Sequence, residues 1–328
     1  MTDPTTTDPT SDLADMSLNE LLALRDKVSR TLKRQYEQHT TLLFVDVVGS
    51  TAYLARHGNV AGRALLDRFQ DAVSQCLKDA NATLIDTAGD GAFLMADSAQ
   101  DGAKLLIDLQ RRVTKDNLSI APDRHLSLRA ALHCGRALVD QERVTGESVH
   151  TTARLMDSGD ANEIRLTEEA FHALPGALRA LCKRLGPQRF KGLGEDVTIL
   201  QLDWRDRERF ATHITIAESG VVIPIGFKPR LTLGRMATLD GKPANDIVLV
   251  HPDARISRRI SRWHANLEMG PDGYEIQSLG RSPTRVDGRR LREGDRALVK
   301  PGTVVEFGGV LTGTFRVSTP DTAHTVVY

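Results

Sequence analysis

Net charge is what this sequence lacks first: 43 lysines and arginines stand against 43 aspartates and glutamates. No excess of positive charge advertises a polyanion or an acidic membrane surface, so no nucleic acid partner is expected. Cysteine is scarce too. Cys76, Cys134 and Cys182 are an odd number without CxxC spacing, which argues against a disulfide framework or a zinc cluster and fits a reducing cytosol. No apolar run approaches the roughly 18–20 residues that cross a bilayer. The opening MTDPTTTDPTSD has neither the basic patch nor the apolar core of a secretory signal. The expectation is a soluble, cytoplasmic protein with no membrane partner. What is present is an ordinary folded composition, 40% hydrophobic and 26% charged over 328 residues, long enough for two domains.

Residues 1–16 are rich in Thr, Asp and Pro and carry too little apolar surface to offset the entropy of ordering, so a disordered tail is expected. Over 17–38, Leu18, Leu21, Val28 and Leu32 recur at helical steps with Arg25 interrupting the stripe. This predicts a short amphipathic helix, packed either on its own domain or against a second copy as a coiled coil. Residues 39–203 alternate strand-like and helix-like segments. TTLLFVDVV is a buried strand, 51–80 a helix, and ATLIDTAGDGAFLMA two short strands around a Gly-Asp-Gly turn. A helix over 98–116, a long strand or hairpin in LSLRAALHCGRALV, a helix over 146–157 and a closing strand VTILQL follow. The order predicts an α+β sandwich with helices on one face of a largely antiparallel sheet. The polar stretch 204–220 reads as a linker. From 221 to 317 short β-branched runs are broken by Gly, Pro, Asn and Asp, which predicts an all-β sandwich, and 318–328 is a tail or a last strand.

LLFVDVVGST sets Asp46 at the end of an apolar strand, and a second aspartate, Asp90, stands in TAGDG at the tip of the next hairpin. Two strand-end carboxylates beside glycines suit hard divalent cations, although turn formation alone would also place aspartates there. The peptide N–H groups of Val47, Val48, Gly49 and Ser50, just before a helix N-terminus, are candidates to cradle a polyphosphate.

Four motifs in order, LLFVDVVGST, DTAGDGAFL, GESVHTTARLMD and FKGLGEDVTILQL, resemble the class III nucleotide cyclases over roughly residues 39–202. The resemblance implies a ferredoxin-like cyclase sandwich, a substrate that is ATP or GTP, and two Mg2+ or Mn2+ ions per active site held by Asp46 and Asp90. It further implies that Arg154 stabilises charge on the phosphate in the transition state and that Lys191 contacts the polyphosphate. The active site would form in a homodimer, the aspartates coming from one chain and the basic groups from the other. Arginine suits this role because it offers a fork of donors that lysine lacks; a plain helix-surface arginine is the other possibility. His150 stands where the family often has an asparagine, and would either hydrogen-bond a ribose oxygen or serve as a structural histidine. The family selects its base with two residues that align here with Asp86 and Arg143, neither being the usual choice. A carboxylate facing N1 and a guanidinium facing the exocyclic oxygen suit guanine, or the similarly patterned edge of uracil, and mismatch adenine, which leans to GTP; a hairpin cap at Asp86 and a solvated loop charge at Arg143 are the other readings. A one-residue slip would put Glu142 in place of Arg143.

Farther along, LGR, NDIVL, SRWHANL and VDG resemble a forkhead-associated (FHA) domain, a β-sandwich that binds phosphothreonine peptides. The resemblance implies that Arg235 and Ser261, with Arg262 assisting, hold the phosphate, while His264 braces the loop from inside. Ser282-Pro283 replaces the family's Asn-Gly, and Ser257-Arg258 offers a competing pair. Arg235, Arg255, Arg258, Arg259 and Arg262 gather at one edge, a phosphate-seeking surface or simply a solvated basic face. The combined expectation is a cytoplasmic homodimeric nucleotide cyclase that reads phosphothreonine on a partner protein or on its own TDPTTTDPT segment. The alternative is a catalytically inactive cyclase fold acting as a phosphopeptide-binding scaffold. Asp46, Asp90, Arg154 and Lys191 standing together favour the enzyme.

Overall fold

The computed structural model describes Leu13 and residues 16–318, apart from Ala88, Gln141, Glu142, Leu193 and Glu195. The tails expected over 1–16 and 318–328 lie outside the described residues but for Leu13, Met16 and Ser318.

Helix α1 (Leu18–Tyr36) starts where Ser17 and Glu20 cap each other, the Ser17 N–H donating to Glu20 Oε2 at 2.8 Å. None of its residues is buried, and Leu18, Leu21, Leu22, Val28 and Leu32 are exposed. The apolar stripe is thus not covered by its own domain, which removes one of its two expected roles. The first unit continues as β1 (Glu37–Val47), α2 (Ser50–Leu77), β2 (Ala82–Asp86), β3 (Gly91–Ala96) and α3 (Ala99–Asn117). Then come β4 (Leu128–Asp140), β5 (Arg143–Thr145), α4 (Glu147–Asp157), β6 (Ile164–Thr167), α5 (Glu168–Ala173), α6 (Gly176–Arg179), β7 (Cys182–Gln188) and β8 (Val197–Leu202). The sheet runs β2-β3-β1-β4-β6-β8-β7 with β5 folded back onto β4, and only β4 and β6 pair in parallel.

Two-residue alternation divides the sheet. Leu43, Val45 and Val47 face the main core with Leu65 and Phe69 of α2 and Leu105 and Leu106 of α3. Leu42 lies in a smaller cluster with Phe93, Ala137 and Val144, and Ala131 packs on Leu155 of α4. Helix α4 therefore sits on the face opposite α2 and α3. The expected one-faced arrangement is corrected here, because Leu155 has its own apolar partners in Ala131, Phe190 and Ile199.

The second unit is a sandwich of two sheets. One holds β10 (Val222–Pro224), β9 (His213–Ile216), β21 (Leu311–Arg316), β20 (Val304–Phe307), β17 (Thr284–Val286) and β18 (Arg289–Leu291) in that order. The other holds β14 (Ile247–Val248), β11 (Arg230–Gly234), β15 (Ala265–Met269), β16 (Tyr274–Ser278) and β19 (Arg296–Val299). A hairpin of β12 (Thr238–Leu239) and β13 (Lys242–Pro243) and one short helix, α7 (Ala254–Ser257), complete it. No helix among the described residues is long and apolar enough to cross a membrane.

The expected linker over 204–220 is not one. Trp204, Phe210 and Ala211 are buried, and β9 pairs with β21 inside the sandwich. Arg205 is 3% exposed; it pairs with Asp203 at 2.8 Å, donates to the Ile225 carbonyl and the Tyr274 hydroxyl, and lies 4.4 Å over the Phe227 ring. Trp204 Nε1 donates to the Asn162 carbonyl at 2.7 Å, and Asn162 Nδ2 donates to that of Phe227 at 3.1 Å. Polar residues dominate this stretch, but its few apolar ones join the two cores. Removing one partner of a buried ion pair strands the other charge, so Arg205→Ala is expected to lower unfolding stability by about 3–5 kcal/mol. Arg285→Ala, which breaks the half-exposed pair with Glu306, should cost less than about 1 kcal/mol. Urea denaturation of the full chain checks both; equal costs would contradict the joint.

Candidate active site

Asp46 falls on the α4 face of β1 by the same alternation that buries Val45 and Val47 on the other. Register sets Gly91 of β3 and Arg129 of β4 directly beside it. Arg129 Nε and Nη2 both donate to Asp46 Oδ2, at 2.9 and 2.7 Å. The same guanidinium reaches the end of α4, where Nη1 donates to the Asp157 carbonyl at 3.2 Å and Nη2 stands 3.5 Å from Asp157 Oδ1. Burial pushes the Asp46 carboxyl above the usual range; Arg129 opposes that shift, and the negative charges of Asp90 and Asp157 add to it.

Asp90 occupies the β2–β3 turn. Ser50, the first residue of α2, donates its hydroxyl to Asp90 Oδ2. The Asp90 carbonyl accepts the Val47 N–H at 3.1 Å, and the Val48 N–H goes to the Ser127 carbonyl at 2.9 Å. These bonds correct the expected phosphate cradle, since Val47 and Val48 have no donor left. The N–H groups of Gly49 and Ser50 find no acceptor among the described residues. Gly49 has φ 75°, the left-handed conformation that swings the chain from strand into helix and points those donors outward.

One oxygen of each carboxylate is thus engaged, Oδ2 in both, while Oδ1 accepts no hydrogen bond among the described residues. Hard oxygens on neighbouring strand ends fit Mg2+ or Mn2+. No group of three or more His, Cys, Asp or Glu forms a closed cage among the described residues. A cation here would have to complete its shell from phosphate or water oxygens, which suits a substrate site better than a structural one.

Arg154 lies one turn before Asp157 on α4, half exposed, its Nη1 3.8 Å from Asp157 Oδ2. Arg129 and Asp157 therefore link Asp46 to Arg154 within one chain. His150 is exposed one turn earlier. Lys191 is exposed immediately after Phe190, which packs on Leu155, so the lysine's loop is pinned beside α4. Asp86 and Arg143 are exposed, but their neighbours Ile85 and Val144 meet in the small cluster where Phe44 and Phe93 stack at 4.5 Å. The β4–β5 hairpin thus curls over the α4 face and brings the two base-selecting candidates to one apolar patch. Arg129 was missed in the sequence; a charged residue inside the apolar run of LSLRAALHCG was its signal.

In the sandwich, β11 ends at Gly234, where an added Cβ would meet the Arg262 carbonyl oxygen at 2.0 Å. Only glycine lets the two loops close this far. Arg235 N–H donates to the Ser261 carbonyl at 3.1 Å, and Asn245 Nδ2 bridges the Met236 and Arg262 carbonyls at 2.8 Å each. Arg235 Nε is buried without a hydrogen-bond partner among the described residues, an unsatisfied donor at the expected phosphate position. Ser261 Oγ donates to Ser282 Oγ at 3.0 Å, so the residue in the family's asparagine position engages the serine expected to hold the phosphate. Arg262 projects over the Trp263 ring at 5.6 Å, and Ser257 Oγ accepts the His251 N–H, which ties Ser257 into its own loop.

Residues 32–202 match the family described as the adenylate and guanylate cyclase catalytic domain, and residues 231–308 match the FHA domain. Adenylate cyclase 2 of Rhizobium meliloti (strain 1021) is 24% identical over 188 residues, 52% of this chain and 51% of that protein. The serine/threonine-protein kinase pkn2 of Myxococcus xanthus is 22% identical over 131 residues, 40% of this chain and 16% of that protein. The chain thus spans about half of one relative and less of the other. Among solved structures, the adenylyl cyclase CyaB from P. aeruginosa is 18% identical with a TM-score of 0.45, covering 52% of this chain and 97% of that one.

His264 is fully buried: Nδ1 accepts the Ser261 N–H at 3.2 Å and Nε2 donates to Thr284 Oγ1 at 3.1 Å. It braces the loop from inside, as expected, and only the neutral ring can do so. Burial pushes its pKa down to about 4, against about 6.5 in the unfolded chain. Between those values the unfolded state binds more protons, so the stability from the neutral ring is complete above pH ~6.5 and lost as pH falls toward ~4. The stability gap between the wild type and His264→Gln should shrink by roughly 3 kcal/mol over that window. A pH-independent gap in urea titrations would contradict the brace.

Proposed function

This chain belongs to the adenylate and guanylate cyclase catalytic domain family, and on that premise we propose that it converts ATP or GTP to a 3′,5′-cyclic nucleotide and pyrophosphate. The observation that carries the proposal is the pair Asp46 and Asp90 on adjacent strand ends, with Arg129 and the open Gly49 and Ser50 N–H groups around it. In the reaction the ribose 3′-oxygen bonds to the α-phosphorus, the bond from that phosphorus to the β-phosphate's bridging oxygen breaks, and the 3′-hydroxyl proton leaves. Divalent cations at Asp46 and Asp90 would favour the ionised 3′-oxygen and neutralise phosphate charge.

The protein's own groups supply the rest. Arg129 offsets part of the burial that raises the Asp46 carboxyl, and with a cation on that carboxylate its guanidinium would stand within reach of triphosphate oxygens. Gly49 and Ser50 offer backbone donors to the same oxygens at the start of α2. Arg154 meets the non-bridging oxygens at the α-phosphorus, where charge builds in the transition state. Lys191 adds a point charge to the polyphosphate, and His150 donates to the ribose. Asp86 and Arg143, beside the stacked Phe44 and Phe93, would read the base edge, and their pattern leans to GTP. Turnover of ATP alone, in a panel of the four nucleoside triphosphates with Mn2+, would defeat that assignment.

The complete site is assigned to a homodimer, with Asp46 and Asp90 of one chain facing Arg154 and Lys191 of the other. Support comes from the bare apolar stripe of α1, a surface that a second copy would cover. The FHA unit is assigned to a phosphothreonine-bearing partner, held through Arg235 and Ser261. Asp46→Ala and Arg154→Ala are each expected to abolish metal-dependent cyclic nucleotide formation. Mixed in equal amounts they should recover about a quarter of the wild-type rate, since half the dimers are mixed and each has one intact site of two. Inert mixtures of well-folded parents would place both residues in one chain's site, and a wild type without turnover would make the chain a phosphopeptide-binding scaffold.

A further inference from the structure

Three non-glycine residues among those described have positive φ: Asn162, Asp240 and Asp287. The two aspartates are exposed, each followed by glycine in a two-residue turn between paired strands, where Asp-Gly is the expected chemistry. Asn162 is different. It is 5% exposed and lies in the turn between α4 and β6, at the seam of the two units. Glycine fits a left-handed turn better than asparagine does, so the backbone alone does not account for the residue.

Three arms of Asn162 reach three partners. Its N–H donates to the Leu128 carbonyl at 2.6 Å, its carbonyl accepts Trp204 Nε1 at 2.7 Å, and its Nδ2 donates to the Phe227 carbonyl at 3.1 Å. The next residue continues the grip, the Glu163 carbonyl accepting the Ala130 N–H at 3.0 Å. Arg129 is therefore held through both of its chain neighbours by one turn. Arg165 ties the same turn to the end of α4, donating to Glu163 Oε2 at 3.0 Å and to Ser158 Oγ at 2.9 Å, while the Ser158 N–H closes on the Arg154 carbonyl at 3.1 Å. What fixes Asn162 fixes Arg129 and the end of α4 with it.

Across the seam, Phe227 leads into β11, and the far end of β11 carries Gly234 and then Arg235. The strand is paired with β15, Arg230 opposite Glu268 toward the seam and Leu233 opposite Ala265 toward the phosphate loops. Both ends are fastened. The His264 N–H donates to the Leu233 carbonyl at 2.7 Å, and the Met269 N–H donates to that of Pro229 at 2.9 Å, beside Tyr274 and its bond from Arg205. Five residues of paired strand span about 16 Å, so the phosphate loops and the Asn162 turn stand at two ends of one continuous hydrogen-bonded path.

We propose that Asn162 is a positioning residue that couples the phosphate site of the FHA unit to the cyclase site, its bond to Phe227 being the link. The coupling, which rests on the nucleotide and phosphothreonine assignments above, is positive. Arg129 meets the triphosphate and Arg235 meets the phosphothreonine in the arrangement that the closed seam holds, so each ligand favours that arrangement and tightens the other.

The test uses the full chain, a peptide with one phosphothreonine and alanine flanks, and the α,β-methylene analogues of ATP and GTP with Mn2+, which bind without turnover. By titration calorimetry the saturating analogue should tighten peptide binding about fivefold or more, and saturating peptide should tighten analogue binding by the same factor. Asn162→Gly accepts φ 64° and keeps both backbone bonds while losing the bond to Phe227; Asn162→Asp keeps the turn but has no N–H to donate there. In both variants each ligand should still bind alone, which reports an intact fold, and the factor should fall to about onefold. A factor of about one or less in the wild type, with both ligands binding, overturns the coupling and leaves both assignments standing. A factor that survives both substitutions, or loss of either ligand's own binding in both variants, overturns the role of Asn162. A wild type that binds neither analogue overturns the nucleotide assignment, one that binds no phosphothreonine peptide overturns the phosphothreonine assignment, and either result removes the coupling with it.

Discussion

A carboxylate at the end of a buried strand persists only beside a cation, and for Asp46 that cation is Arg129. The pairing is a matter of register: β1 and β4 place the two residues directly opposite each other. One guanidinium then fastens three things, the strand end through Asp46, the end of α4 through Asp157, and by that route the turn that carries Arg154. Around this knot the backbone does the remaining placement. The Val47 N–H holds the Asp90 carbonyl and Ser50 holds the Asp90 carboxylate, so Asp90 is fixed by bonds that begin in β1 and α2.

The second constraint joins the two units. Asp203, Arg205 and Tyr274 form a buried polar network at the seam, with Phe227 stacked on the guanidinium. Asn162, at φ 64° in the turn between α4 and β6, donates its side chain to Phe227 and its N–H to the Leu128 carbonyl at 2.6 Å. Leu128 precedes Arg129. The seam therefore borders the strand that carries the catalytic domain's key cation, and the sandwich is packed on that domain rather than tethered to it.

Much of this was legible in the chain itself. The apolar run ending in Asp46, the Gly-Asp-Gly turn at Asp90 and the SRWH loop each announce their local structure, because strand burial, tight turns and a buried histidine leave direct marks in residue order. Arg129 was harder to see. Its role depends on which residue of another strand lies opposite, and nothing in a single strand records that. Trp204 and Phe210 were hidden differently, as isolated apolar residues in a polar stretch, where composition averages outweigh the few side chains that decide burial.

The sequence by itself determined the order of elements, the two units and the residue types of the candidate site, since these follow from periodicity and from local backbone preference. Tertiary structure alone decided which N–H groups stay open at Gly49 and Ser50, which face α4 covers, that Arg129 meets Asp46, and that Ser261 meets Ser282. Those are properties of pairs brought together across long stretches of chain, set by register and packing, and a linear pattern carries no term for them.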